Sequence, residues 1–146
     1  MNNKYMNIIQ EEASDILSNE RVLSQKKFIQ HGKTTTYEHT INVTITALKI
    51  ANKLRIKYDR RSLIRGGLLH DYFLYDWHEN DKSHRLHGFH HARRALINAR
   101  EDFELNKIEE NIIDTHMFPL NLRFPKYRES IIIGIADKVC TIKEFF

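Results

Sequence analysis

The chain has 146 residues, of which 41% are hydrophobic and 29% are charged, with five Gly, two Pro and one Cys. This length fits one domain with a single core, and the composition excludes a disordered chain and an integral membrane protein. The net charge of +4 comes from 23 basic and 19 acidic residues dispersed along the sequence, so no basic arm or tail indicates specific nucleic-acid binding.

The nine His residues are the unusual feature of this composition, and six of them lie between residues 70 and 91. The lone Cys140 cannot form an internal disulfide, and residues 1–7 lack the apolar stretch of a signal peptide. We therefore expect a cytoplasmic protein that makes no contact with a membrane.

The scarcity of Gly and Pro favours an all-α fold of about six helices. The first helix is predicted over residues 3–17. The second is capped near Asn19 and extends through Ile29 to the His31-Gly32 pair. Residues 1–33 are thus predicted to be an N-terminal helical extension, and residues 34–146 the core of one single domain.

Residues 40–46 are ambiguous, because β-branched and polar residues alternate there as they do in a half-buried strand. A wider window over residues 37–57 contains two adjacent apolar rows at helical spacing. Thr34, Thr35 and Thr36 offer a cap before it. We therefore predict a helix.

A fourth helix is predicted after Asp59, and its Gly66-Gly67 pair would allow a neighbouring helix to approach closely. Residues 72–88 show no clean period and form a long connection, which in a small domain is often functional. Further helices are predicted over residues 89–99, after Asn106 and over residues 126–146, with Pro119 and Pro125 bracketing a loop.

Several His and Asp residues fall at predicted helix ends or on otherwise apolar helix faces: His39, His70, Asp71, His91, His116 and Asp137. An unpaired buried carboxylate is costly, so these side chains are expected to have partners. Imidazole and carboxylate groups converging from several helices suit Fe, Mn, Co, Ni or Zn. Since there is only one Cys, we expect a catalytic site with open positions rather than a structural zinc site.

The order of these residues resembles the HD-domain superfamily, in particular its small single-domain bacterial members with the pattern H…HD…H…H…D. The resemblance covers about residues 37–141. Three stretches carry most of it: Tyr37-Glu38-His39-Thr40, Gly67-Leu68-Leu69-His70-Asp71 and Ile135-Ala136-Asp137-Lys138.

This resemblance implies a helical bundle around a metal site that holds two divalent transition-metal ions. Four residues would bind the first ion: His39, His70, Asp71 and Asp137. Asp71 would bridge to a second ion held by His91 and His116, with His90 as the substitute for His91. Asp71 and His70 would be the catalytic pair, and a metal-bridging hydroxide would attack phosphorus.

The family resemblance implies a metal-dependent phosphohydrolase that cleaves a nucleotide or another small phosphoester. A mixed-valence di-iron oxygenase of the same fold and a non-catalytic nucleotide-sensing module remain alternatives. Many family members carry a Gly-Lys pair near the phosphate after the HD dipeptide, but here Tyr72-Phe73 follows Asp71. Arg85, Arg93 and Arg94 are candidate replacements, because a guanidinium group binds phosphate in a bidentate manner.

The expected partner is a small phosphorylated substrate, which the net positive charge would attract. The sequence ends on Phe145 and Phe146 while the helical pattern continues. These rings could cap the core or contact a second copy of the chain, so a homodimer stays open.

Overall fold

A computed structural model describes residues 2–74 and 87–145. Within these ranges the protein contains seven α-helices, one 3₁₀ helix and a two-stranded hairpin, which confirms the all-α prediction. None of the described helices is both long and apolar enough to cross a membrane. In chain order the elements are α1 (Asn2–Leu17), α2 (Glu20–Leu23), the 3₁₀ helix (Ser24–Lys27), β1 (Ile29–His31), β2 (Thr34–Thr35), α3 (Thr36–Lys53), α4 (Arg60–Leu69), α5 (His87–Asp102), α6 (Lys107–Thr115) and α7 (Arg128–Phe145).

The first helix packs into the same hydrophobic core as the later helices. Its buried residues are Ile9, Ala13 and Ile16, spaced along one face. The buried guanidinium of Arg65 on α4 donates to both carboxylate oxygens of Asp15, at 2.7 and 2.9 Å. A bidentate Arg–carboxylate contact is geometrically specific, so it fixes how α1 lies on α4.

The second predicted helix is correct at its start and wrong at its end. The Asn19 side chain caps it, accepting hydrogen bonds from the backbone N–H groups of Arg21 and Val22. However, α2 ends after one turn, and Ile29–His31 forms a strand antiparallel to Thr34–Thr35. The turn between the strands uses Gly32 at φ +56°, a conformation that favours glycine. The prediction of an entirely helical extension over residues 1–33 is therefore wrong for its last part.

The ambiguous segment over residues 40–46 lies within α3, as predicted. Thr35 and Glu38 form a reciprocal capping box at its start. The Thr44 hydroxyl donates to the backbone carbonyl of Thr40 one turn earlier, which satisfies this buried hydroxyl inside the helix. The packing of α3 against α7 and α4 makes this segment helical, even though its β-branched residues have a low helix propensity.

The paired glycines of α4 allow two neighbouring elements to approach closely, as the sequence predicted. A Cβ atom at Gly66 would lie 2.5 Å from Cδ1 and 2.9 Å from Cβ of Ile112 on α6. A Cβ atom at Gly67 would lie 2.6 Å from the Thr44 hydroxyl on α3. The close contacts of α4 with α3 and α6 therefore require glycine, which has no side chain, at positions 66 and 67.

The last three helices follow the predicted order with small shifts at their ends. The predicted helix over residues 89–99 is α5, which extends further on both sides. Asn106 caps α6 in a second capping box, with Glu109. The predicted connection over residues 72–88 lies largely outside the described residues.

Alanine substitutions at two helical glycines test this packing. We expect Gly66→Ala to reduce the free energy of unfolding by about 1–3 kcal/mol, because the new methyl group overlaps Ile112. Gly134→Ala on α7 is the matched control, since its Cβ would meet only ordinary contacts at 3.8 and 3.9 Å. It should increase stability by up to about 1 kcal/mol through helix propensity. Chemical denaturation of metal-free protein, followed by circular dichroism, measures both, and equal stabilities for the two variants would contradict this packing.

Candidate metal centre

Six His and Asp side chains from five helices meet in the interior of the protein. His39 lies in the first turn of α3, His70 and Asp71 follow the last residue of α4, and His91 lies near the start of α5. His116 directly follows α6, and Asp137 lies on α7. Each of the six is at most 9% exposed.

The six side chains form two groups that share one residue. The first group is His39, His70, Asp71 and Asp137, and the second is Asp71, His91 and His116. Within each group, one potential ligand atom of every residue lies within 4.8 Å of the others. Asp71 therefore stands between two adjacent sites, each of a size that suits one metal ion.

Two of the imidazoles are oriented by the ends of their own helices. His70 Nδ1 lies 2.6 Å from the carbonyl oxygen of Gly67, and His116 Nδ1 lies 2.8 Å from that of Ile113. A carbonyl oxygen only accepts, so each Nδ1 donates, and the hydrogen bond also satisfies a carbonyl left free at the helix C-terminus. In the neutral ring Nε2 then carries a lone pair, and in both residues Nε2 faces Asp71.

The two oxygens of Asp71 face different imidazoles. Oδ2 lies 3.3 Å from Nε2 of both His39 and His70. Oδ1 lies 3.0 Å from Nε2 of His91 and 3.2 Å from Nε2 of His116. One carboxylate oxygen is thus directed at each group, which is the arrangement that a bridging carboxylate requires.

Asp137 completes the first group from α7. Its Oδ1 lies 2.8 Å from His39 Nε2 and 3.4 Å from His70 Nε2. The first group therefore contains two carboxylates, whereas the second contains only the shared carboxylate of Asp71. The second site depends more strongly on how Asp71 is oriented.

The electrostatics of the two groups differ. Burial lowers the pKa of His70, but Asp71 and Asp137 outweigh that effect and raise its pKa to about 10. At His116 burial dominates and lowers the pKa. Burial works against the ionised form of Asp71, yet His70, His116 and His39 hold its pKa well below the usual range. Protons on the imidazoles thus compensate the negative charge of the carboxylates in the first group. Bound metal cations would displace these protons.

The donor set fits divalent transition metals. Nε2 of His91 lies 2.8 Å from Nε2 of His116, so two rings direct nitrogen atoms at each other and at a carboxylate oxygen. Lone pairs that converge in this way repel unless a proton or a cation lies between them. Imidazole nitrogen with carboxylate oxygen suits Fe, Mn, Co, Ni or Zn. Cys140, the free cysteine, contacts Thr46 instead and is not a member of either group.

Glu144 is a contributor that the sequence prediction missed. Both of its carboxylate oxygens lie within 2.9 Å of His39 Nδ1, and its side chain is 7% exposed. Nδ1 donates to this carboxylate, which leaves Nε2 of His39 directed into the first group. Glu144 is seven residues after Asp137, and two helical turns place both on one face of α7, so helical spacing could have indicated it.

The remaining predicted site residues, His90 and the candidate Arg residues, are not members of either group among the described residues. His91 is buried in the cluster and His90 is exposed, so the structure places only His91 with the other five. Arg93 and Arg94 are exposed on α5. Arg85 lies outside the described residues. Phe73 is buried with its ring 5.3 Å from that of His91, so it supports this ligand candidate.

The contact between Glu144 and His39 yields a prediction for metal affinity. We expect Glu144→Gln to weaken metal binding by about 10–100-fold, because a carboxylate on Nδ1 orients a ligand imidazole and raises its basicity. Competition with a chromogenic chelator measures this affinity. Glu11→Gln removes an exposed carboxylate and is the matched control. Equal affinities in the two variants would contradict a role for Glu144 at the centre.

Comparison with known proteins agrees with this geometry. The family model described as "HD domain" matches residues 36–142, a range that contains all six clustered His and Asp residues. Comparisons with curated proteins and with solved structures gave no match. The family model covers well over half of the chain, with its characteristic His-Asp dipeptide at the point where the two groups join, and the chain therefore belongs to the HD domain family.

Proposed function

We propose that this protein is a metal-dependent phosphohydrolase that cleaves a nucleotide or another small phosphoester. The observation that carries the proposal is the sharing of Asp71 by two buried His/Asp groups. HD domain proteins are typically metal-dependent phosphohydrolases, and a pair of sites bridged by a carboxylate suits that chemistry.

Two divalent ions bound here would supply an activated water nucleophile and would neutralise the phosphoryl oxygens. His39, His70, Asp71 and Asp137 would hold the first ion, and Asp71, His91 and His116 the second. The protein's own contribution is to fix these donors before substrate arrives. The helix-end hydrogen bonds of His70 and His116 keep the proton on Nδ1, so that Nε2 is the nitrogen available to a metal ion. The Glu144 carboxylate fixes the same tautomer in His39.

Asp71 and His70 have the central roles in this proposal. Asp71 would be shared by both ions, because its two carboxylate oxygens face different groups. His70 is fully buried and contacts both carboxylates of the first group, Asp71 and Asp137. We propose that it binds the first ion together with them. The site requires no thiolate and no side-chain nucleophile, which agrees with attack by water.

Positive side chains on α5, the helix that carries His91, support an anionic substrate. Arg94 follows His91 by three positions on α5, so both lie on one side of the helix, whereas Arg93 is turned about 200° from His91. Both side chains are exposed and can reach a ligand in solvent. Of these two, Arg94 is the one we propose to bind a phosphate group.

Replacing the shared carboxylate tests the function. Asp71→Asn keeps the shape of the side chain but removes its charge. We expect loss of bound metal and a fall in kcat/KM of more than about 100-fold on a panel of nucleotides and phosphoesters, since even outer partners of metal ligands cost about 10–100-fold. Protein purified without oxygen and analysed by mass spectrometry gives the metal content.

Asp114→Asn is the matched control, because Asp114 belongs to an ion pair with Arg123 near the surface, where such pairs contribute little. It should keep metal and activity. Metal-loaded wild-type protein that consumes oxygen but hydrolyses no member of the panel would contradict the phosphohydrolase proposal.

A further inference from the structure

Two glutamines that precede the region of the family match reach the shared aspartate. Gln30 in β1 donates from Nε2 to Asp71 Oδ2 at 3.0 Å. Gln25 in the 3₁₀ helix donates from Nε2 to the backbone carbonyl of Asp71 at 3.2 Å. Both glutamines are buried, with exposures of 4% and 0%. The carboxylate and the main chain of Asp71 are thus both held by the N-terminal segment.

The amide of Gln30 has a defined orientation. The buried hydroxyl of Thr36 donates to Gln30 Oε1 at 3.2 Å. Because the amide oxygen is engaged on this side, the amide nitrogen faces Asp71. Thr36 is the first residue of α3, one turn before His39, so the same turn of helix orients Gln30 and presents a candidate metal ligand.

The hydrogen bond from Gln30 restricts the torsion that determines which groups the two Asp71 oxygens face. Rotation of the Asp71 carboxylate about its Cβ–Cγ bond would turn Oδ1 away from His91 and His116. A hydrogen bond from Gln30 to Oδ2 opposes that rotation. A carboxylate oxygen has two lone-pair sites, so Oδ2 can accept from Gln30 and still face the first group.

We propose that Gln30 is a positioning residue of the metal centre, which holds the Asp71 carboxylate with one oxygen directed at each of the two groups. The N-terminal segment, although it lies before the family match, is then part of the centre. This inference rests on the proposed two-ion site. It assigns Gln30 no contact with substrate.

The two sites respond differently to a loss of this contact. Asp137 supplies the first group with a carboxylate that does not depend on Gln30, while the second group has only Asp71. A rotated Asp71 therefore costs the second site its one carboxylate among the described residues. The first site keeps two imidazoles and Asp137.

Titration with Co²⁺ tests the proposal, with visible absorption recording the filling of each site. Gln30→Met removes the amide at similar length, and Gln10→Met, at an exposed position of α1, is the matched control. In Gln30→Met we expect the second Co²⁺ to bind about 10–100-fold more weakly and the first Co²⁺ to lose clearly less affinity, because Asp137 remains in the first group. The control should bind both ions as wild type does.

A second pair of variants separates orientation from packing. Thr36→Val removes the hydroxyl that orients the Gln30 amide, whereas Thr36→Ser retains a hydroxyl at this position. We expect Thr36→Val to weaken the second Co²⁺ and Thr36→Ser to bind both ions as wild type does. The metal-free melting temperature is recorded for every variant.

Gln30→Met that binds both ions with wild-type affinity would overturn the positioning role and leave the proposed function standing. Equal weakening of both ions, together with a lower metal-free melting temperature, would also overturn it, because that is the result of a purely structural role. Wild-type protein that binds fewer than two Co²⁺ would overturn the two-ion proposal itself, and this inference with it.

Discussion

Asp71 imposes the main physical requirement on this fold, because its carboxylate is buried. It is 1% exposed, and among the described residues its ion-pair partners are four imidazoles, with no Lys or Arg. A buried charge left without partners is strongly unfavourable, and breaking a buried pair typically costs about 3–5 kcal/mol. The fold therefore has to bring several imidazoles to this one side chain. A set of neutral or partly protonated imidazoles that compensates a carboxylate is also a set of metal ligands.

Two of these imidazoles are positioned by the C-terminal ends of helices. A residue that follows a helix meets free carbonyl groups, and an imidazole there donates Nδ1–H to one of them while Nε2 points onward. His70 and His116 both use this device. The close approach of α4 to α3 and α6, through Gly66 and Gly67, brings the ends of these helices together. Local hydrogen bonding and helix packing thus determine the geometry of the centre before any ion binds.

Much of this could be predicted from the sequence, because it depends on local patterns. Helical spacing identified α3 despite its β-branched residues, and Asn106 marked the start of α6 by its capping chemistry. Six polar residues on apolar faces indicated which side chains the structure would bring together. The hairpin at β1 and β2 could not be predicted, because Ile29–His31 is a strand only through pairing with Thr34–Thr35. For the same reason the contact of Gln30 with Asp71, between residues distant in sequence, has no local signal. Glu144 did have a local signal, namely its helical spacing from Asp137. The HD ligand pattern ends at Asp137, so the pattern alone did not indicate Glu144.

Anomalous diffraction from crystals of the protein grown with Mn²⁺ tests whether Asp71 joins two metal sites. We expect two anomalous peaks about 3.5–4 Å apart, one on each side of the Asp71 carboxylate. One peak would lie among His39, His70 and Asp137, and the other between His91 and His116. A single peak, or peaks that do not flank Asp71, would contradict this expectation.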